Sequence, residues 1–303
     1  MKKILVTGSQ GFIGRHLLPL LIEKGYEVHA VSLLNDQSPK NEIVWHQADL
    51  LNTSDIEALM QKVKPTHLLH LAWYTEHKKY WTAQENYDWV QASLFLARTF
   101  QKYGGIRVVA AGTCAEYDWT KECCDETATP LAPATVYGRC KNEFRRKLEE
   151  FSLETHLSWA WGRIFFVYGP GEHPARLVPS VICSLLQGKE VACSSGSQKR
   201  DFLYVEDVAG AFVSILESTI EGAVNIGSGE AVSIKDIIGL IAGKVGRPAL
   251  VKFGLLKVSP DEPSVLIASV KRLKDQVNWS PKFSMNEALD KTIAWWKLTV
   301  PKG

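Results

Sequence analysis

No apolar run among the 303 residues approaches the roughly 20 needed to cross a bilayer, so no membrane-embedded part is expected. A dominant charge is also missing. The 35 lysines and arginines nearly balance 33 aspartates and glutamates, leaving +2, and no basic block stands out. That pattern argues against nucleic acid or an anionic membrane as partner. The six cysteines (Cys114, Cys123, Cys124, Cys140, Cys183, Cys193) form no C-x-x-C pair and sit in no histidine-rich spacing. No metal site is therefore expected, and reduced thiols in the cytoplasm are the default. Adjacent Cys123 and Cys124 read as loop residues. The opening MKKILVTG carries basic residues, but its apolar run is too short for a signal peptide and leads straight into glycines. What remains is an ordinary globular composition, 46% hydrophobic and 22% charged, with ample core for one large domain or two smaller ones.

Ile4-Leu5-Val6 reads as a short buried strand, followed by Thr7-Gly8-Ser9-Gln10-Gly11-Phe12-Ile13-Gly14 and an amphipathic helix ending at Gly25. Gly8 permits a tight turn, Gly11 lets backbone approach a pyrophosphate, and Gly14 allows close helix–strand packing. A glycine triplet placed between a first strand and a helix points to a dinucleotide site lined by Gly8, Gly11, Phe12, Ile13 and Gly14. The second strand, Glu27 to Val31, runs into Ser32 rather than the carboxylate that holds the ribose 2′-hydroxyl of NAD. Asp36 comes too late. Without that carboxylate nothing repels a 2′-phosphate, and Arg15 at the helix start offers a counter-charge, so NADP(H) is favoured over NAD(H). A third strand from Val44 ends in Asp49-Leu50, suited to the adenine rim. After a helix from Asp55 to Val63, the strand His67 to Ala72 ends in Leu71 and a small Ala72, leaving room for the cofactor. His70 reads as a packed strand histidine.

Aromatics crowd residues 73 to 89, among them Trp73 and Tyr74. They fit core packing and an aromatic wall for a sugar ring or base equally well. A helix from Glu85 to Tyr103 and a strand from Arg107 to Ala111 continue the strand–helix alternation. The fold class is α/β with a doubly wound parallel sheet of Rossmann type. Past the latter strand, Thr113 sits where such sheets face their ligand crevice, with a hydroxyl to offer a carbonyl or alkoxide. Tyr137 and Lys141, four apart on a helix, share one face. A phenol titrates near pH 10, and a nearby ammonium should lower that value into the working range for acid–base chemistry.

These pieces together resemble the extended short-chain dehydrogenase/reductase family, in its nucleotide-sugar epimerase, dehydratase and 4-ketoreductase group. The resemblance rests on TGSQGFIG, Asp49-Leu50, His70-Leu71-Ala72, Thr113 four before Tyr117, and Tyr137 with Lys141. It continues through Arg163 to Gly171, Leu177-Val178-Pro179, Arg200 to Ala209, and Asn225 to Gly229. It implies that Tyr137 is the acid/base, that Lys141 tunes it and holds the ribose, and that Thr113 is the assisting hydroxyl. It further implies that Arg200 grips a sugar-nucleotide pyrophosphate and that Arg176 and Leu177 line the nucleotide diphosphate. A cofactor domain over 1–170, with a return around 201–225, would be joined by a smaller C-terminal α/β nucleotide-sugar domain from 171–200 and 226–303. A homodimer is the default.

Departures from the family pattern narrow the choice. The 4,6-dehydratases carry Asp-Glu after the threonine where Cys114-Ala115 stand here, so that elimination lacks its machinery. Phe166 replaces the family's asparagine, giving a more apolar sugar edge that a 6-deoxy sugar would fit. Cys114 falls one residue before the acid cysteine of the related epimerase-reductases and reads as an inert buried thiol. The expectation is an NADPH-dependent 4-ketoreductase of a nucleoside-diphosphate 4-keto-6-deoxy sugar. An NAD-dependent 4-epimerase is the alternative. A reductase for non-nucleotide carbonyls is disfavoured by Arg200, and a silent dinucleotide-binding module by the joint presence of Thr113, Tyr137 and Lys141.

Overall fold

The computed structural model describes residues 2–34, 42–258 and 262–300. Seven strands form one parallel sheet: β1 (Lys3–Thr7), β2 (Glu27–Ser32), β3 (Ile43–Gln47), β4 (His67–His70), β5 (Arg107–Thr113), β6 (Ser158–Ile164) and β7 (Gly222–Ile226). Their spatial order is β3-β2-β1-β4-β5-β6-β7. The chain therefore winds outward from β1 in one direction, then crosses back to β4 and winds the other way. Between β1 and β4 lies the switch point, where the loops leaving the two strands diverge and open a crevice.

Side chains alternate along each strand, so both faces of the sheet are greasy and both are covered. Ile4 and Val6 of β1 enter one core with Leu17 and Leu21 of α1 (Gly14–Glu23), while Leu5 enters the opposite core with Ile56 and Met60 of α2 (Thr53–Val63). That second core also takes in Leu94 and Phe100 of α3 (Glu85–Lys102) and Phe144 and Leu148 of α4 (Val136–Thr155). A separate core lies beyond the sheet. It joins α5 (Leu177–Leu186), the start of α6 (Val205–Glu217), α7 (Ile234–Val245) and a later helix, Met285–Thr299.

A four-stranded sheet orders Val232–Ser233, Lys199–Arg200, Val265–Ala268 and Cys123–Cys124. Cys123 and Cys124 are thus not loop residues. They pair in parallel with Ile267 and Ala268, and Cys124 is buried while Cys123 is exposed. Two strand ends also differ from the sequence reading. Helix-free extended backbone past His70 leaves the ladder, and β5 runs on to Thr113 because Gly112 and Thr113 pair with Arg163 and Ile164 of β6. Thr113 is therefore a strand residue held in register by a neighbouring strand. Among the described residues no helix is long and apolar enough to cross a membrane.

Candidate active site

A cavity of about 560 Å³ opens at the switch point. At one end lies the glycine-rich turn between β1 and α1. Gly8 has φ +67°, and a Cβ there would meet the Ala72 nitrogen at 2.8 Å; a Cβ on Gly14 would sit 2.2 Å from the Gly8 oxygen. The loop closes on itself through these glycines and lays Gly8, Gly11, Phe12, Ile13 and Gly14 along the cavity wall. No side chain caps α1 and its first turn has no acidic residue. Its amide end is thus open to an anion, and the residues present fit a dinucleotide pyrophosphate. Gly14→Ala drives a methyl group into backbone that cannot yield. We expect it to cost about 1–3 kcal/mol and to weaken dinucleotide binding at least tenfold, read by thermal melting and cofactor titration.

Leu71 and Ala72 also line the cavity. Other residues assigned to the cofactor do not. Ser32 is buried and donates to Gln10 Oε1 at 2.6 Å. Asp49 is exposed and accepts the Leu51 amide at 2.9 Å, and Leu50 packs into the core with α2. Arg15 turns its guanidinium onto the carbonyls of Gly11 and Gln10, at 3.2 and 3.1 Å, and lies against Gly171. Asp36 falls outside the described residues.

Thr113, Tyr137 and Lys141 meet on the cavity wall. Thr135 caps α4, its side chain accepting from the Gly138 amide at 3.0 Å, so Tyr137 and Lys141 occupy the first two turns. Gly138 lets this helix end dock, since a Cβ there would lie 2.2 Å from the Ala115 oxygen. The Tyr137 hydroxyl lies beside the Thr113 side chain, which works to lower its pKa. Tyr80 and Trp81 stand edge-on to the Tyr137 ring at 5.0 and 5.8 Å. Lys141 donates to the Ala111 carbonyl at 3.0 Å and lies 3.8 Å from the Trp73 ring centre.

The expected tuning of the phenol by Lys141 is not what the structure has. Burial, then the neighbouring Tyr80, raises the Tyr137 pKa well above its ordinary value, against the lowering influence of Thr113. The Lys141 nitrogen is 6.0 Å from the phenol ring centre, drawn onto Trp73 and Ala111. Its own charge is costly there: burial pushes the ammonium down to about 7, partly offset by Glu116. Tyr137 therefore keeps its proton at neutral pH. His70, one strand residue from Leu71, is buried and bonds Thr7 and Ser93 through its two ring nitrogens, at 2.7 and 2.9 Å.

A group not singled out from the sequence holds Thr113 in place. Glu116 is fully buried and accepts the Thr113 amide at 2.9 Å, the Trp161 indole N–H at 2.9 Å and Arg163 Nε at 2.7 Å. Arg163 reaches on to the Tyr117 hydroxyl at 2.9 Å, which donates to Asn225 Oδ1 at 2.7 Å. Four elements are tied beneath one hydroxyl. The sequence signal was present, since Glu116, Tyr117, Arg163 and Asn225 all lie in recognised stretches, but only the β5–β6 register brings them together.

At the other end the cavity takes in Cys114, Phe166, Arg176 and Arg200, with Trp81 and Trp119 beside them. Burial holds Cys114 as a thiol, far above its ordinary pKa. Arg200 is buried, pairs with Glu262 at 2.8 Å and stands 5.5 Å from the Phe166 ring centre. Arg176 pairs with Glu172 at 3.2 Å, and its charge acts to lower the pKa of Tyr80 against burial. Burial raises the Glu172 carboxyl to about 8, against the pull of Arg176. Trp73 lines the cavity but is itself buried in the core, stacked with Phe144 and beside Trp89. Tyr74 donates to Glu76 outside it, and Leu177 opens α5 against the core beyond the sheet.

The model of the NAD dependent epimerase/dehydratase family matches residues 4–227, from β1 through β7. The chain belongs to that family. Its relatives include nucleotide-sugar decarboxylases and epimerases, and the chain is an enzyme. Relatives align along almost its full length. UDP-glucuronic acid decarboxylase 1 of Xenopus tropicalis is 27% identical over 98% of this chain and 72% of its own. CDP-abequose synthase of Salmonella muenchen is 24% identical over 97% of both chains. Among solved structures, the UDP-glucose 4-epimerase of Thermus thermophilus in complex with NAD superposes with a TM-score of 0.85 at 25% identity. That match covers 97% of this chain and 99% of the other.

Proposed function

We propose that this protein is a 4-ketoreductase acting on a nucleoside-diphosphate 4-keto-6-deoxy sugar. The observation that carries the reading is the meeting of Thr113 and Tyr137 on the wall of the cavity that the glycine turn opens, where a phenol still protonated at neutral pH has a proton to give to a developing alkoxide. Bound at the glycine turn, a reduced nicotinamide dinucleotide would supply the hydride. Thr113 and Tyr137 then face the oxygen on which negative charge grows. Thr113 donates a hydrogen bond to it, and Tyr137 delivers the proton. Trp81, Trp119 and Phe166 give the sugar an apolar wall that suits a methyl group at carbon 6 better than a hydroxyl. Arg200 and Arg176 are the cations nearest the place of the diphosphate. A homodimer through α3 and α4, which pack side by side, belongs to the same reading.

The 4-epimerase is the second reading, favoured by the NAD-containing epimerase among the structural relatives. Cofactor choice separates the two. Ser32, Leu33 and Leu34 offer no carboxylate to a ribose 2′-hydroxyl, which favours NADPH, whereas Arg15 is committed to loop carbonyls. We expect the purified protein to exchange its cofactor freely and to oxidise NADPH when given a 4-keto-6-deoxy sugar nucleotide. Tightly retained NAD(H), with turnover of UDP-glucose and no NADPH oxidation, would make the epimerase the correct reading.

A further inference from the structure

Lys141 is the one member of the Thr113, Tyr137 and Lys141 group that is charged, and the structure gives its charge few partners. The ammonium donates to the Ala111 carbonyl at 3.0 Å. Its other close contact is the face of Trp73, 3.8 Å from nitrogen to ring centre. At that distance an ammonium sits directly on the negative face of an indole, and burial makes the attraction stronger than at a surface. The indole plane is itself locked. Trp73 Nε1 donates to Asn86 Oδ1 at 2.8 Å, and the fully buried Asn86 donates in turn to the carbonyls of Tyr80 and Ala83, at 2.8 and 2.9 Å. Phe144, one turn beyond Lys141 on the same helix, stacks on Trp73 with an interplanar angle of 24°.

We infer that Trp73 is a positioning residue for Lys141, its indole face holding the ammonium charged and aimed while Asn86 fixes the indole. An aromatic crowded into residues 73–89 is thereby assigned to the lysine rather than to a sugar wall. The other titratable groups facing Lys141 are Glu116, which favours the ammonium, and His70 and Tyr137. Burial depresses the pKa of His70 to about 3, with Lys141 lowering it further, so it is neutral across the working range, and Tyr137 keeps its proton. Against the cost of burial, the charge on Lys141 is therefore favoured by Trp73, the Ala111 carbonyl and Glu116.

The test compares Trp73→Met, which fills the space without a π face, with Trp73→Phe, which keeps a weaker one. Lysines labelled with carbon-13 at Cε are titrated by NMR, and the Lys141 resonance is assigned by its loss in Lys141→Met. We expect Lys141 to lose its proton at a pH lower by about one unit in Trp73→Met than in wild type, with Trp73→Phe between them. If Trp73→Met does not fold, Trp73→Phe decides alone, by a downward shift of less than about one unit against none. An unchanged Lys141 titration overturns the inference, as does an equal shift in both variants. Its use in the site rests on the cofactor reading above, and binding of NAD⁺ and NADP⁺ tests that part separately. Affinity that falls with rising pH, earlier in Trp73→Met than in wild type, ties the lysine's charge to the ribose. A shifted titration with no binding of either dinucleotide leaves Trp73 in its role and removes the cofactor reading.

Discussion

Tyr137→Phe lowers turnover by about a thousandfold while dinucleotide affinity stays within a few-fold of wild type. The magnitude follows from what the hydroxyl does. A positioned general acid contributes about 10²–10⁴-fold, and phenylalanine removes that acid without removing the ring. The ring is what packs, edge-on against Tyr80 and Trp81, so the variant keeps the cavity wall. Only the hydroxyl beside Thr113 is lost, and Thr113 remains held by Glu116 through its backbone. Stability should therefore move by about 1 kcal/mol or less. Steady-state kinetics with a 4-keto-6-deoxy sugar nucleotide and NADPH, beside a cofactor titration and a thermal melt, read all three quantities. Turnover near the wild-type rate in a folded, cofactor-competent variant would remove Tyr137 from the chemistry. Thr113→Ala is expected to be milder, since Tyr137 could still deliver its proton.

Local spacing was enough to find the glycine turn and the pair Tyr137 and Lys141. A strand, a turn of Gly8, Gly11 and Gly14, and a helix are contiguous, and residues four apart on α4 must share a face. Thr113 was legible for a related reason, lying at the carboxyl end of a central strand. What the side chains do with one another was not legible. Lys141 was expected beside the phenol, yet its ammonium goes to Trp73 and Ala111, which come from other strands' ends. Arg15 was given a phosphate and instead holds two carbonyls of its own loop. Glu116 meets Arg163 across 47 positions only because Gly112 pairs with Arg163 in the β5–β6 register. Such contacts depend on strand pairing, and no period within one segment encodes that.

The same buried pair yields the largest expected change in stability. Arg163→Met should cost about 3–5 kcal/mol, because it strands a charge in the interior. Glu116 and Arg163 have side-chain exposures of 0% and 1%, and their contact is 2.7 Å. Burial works against the guanidinium, but Glu116 and Tyr117 more than offset it, so the arginine stays charged in place. Removing it leaves Glu116 with the Thr113 amide and the Trp161 indole, two neutral donors for a full negative charge. A carboxylate left in the interior with neutral donors alone is what makes the loss large. Adding Glu116→Gln removes the stranded charge, so the double variant should be more stable than Arg163→Met alone at pH 8. Urea unfolding of wild type, Arg163→Met and the double variant at pH 8 measures this. A deficit under about 1 kcal/mol would mean that Glu116 finds water or another cation when Arg163 is gone. Beyond stability, the pair anchors the turn after Thr113, so Arg163→Met should also slow turnover in the folded fraction, whereas Glu116→Gln, which keeps an oxygen for the Thr113 amide, should slow it less.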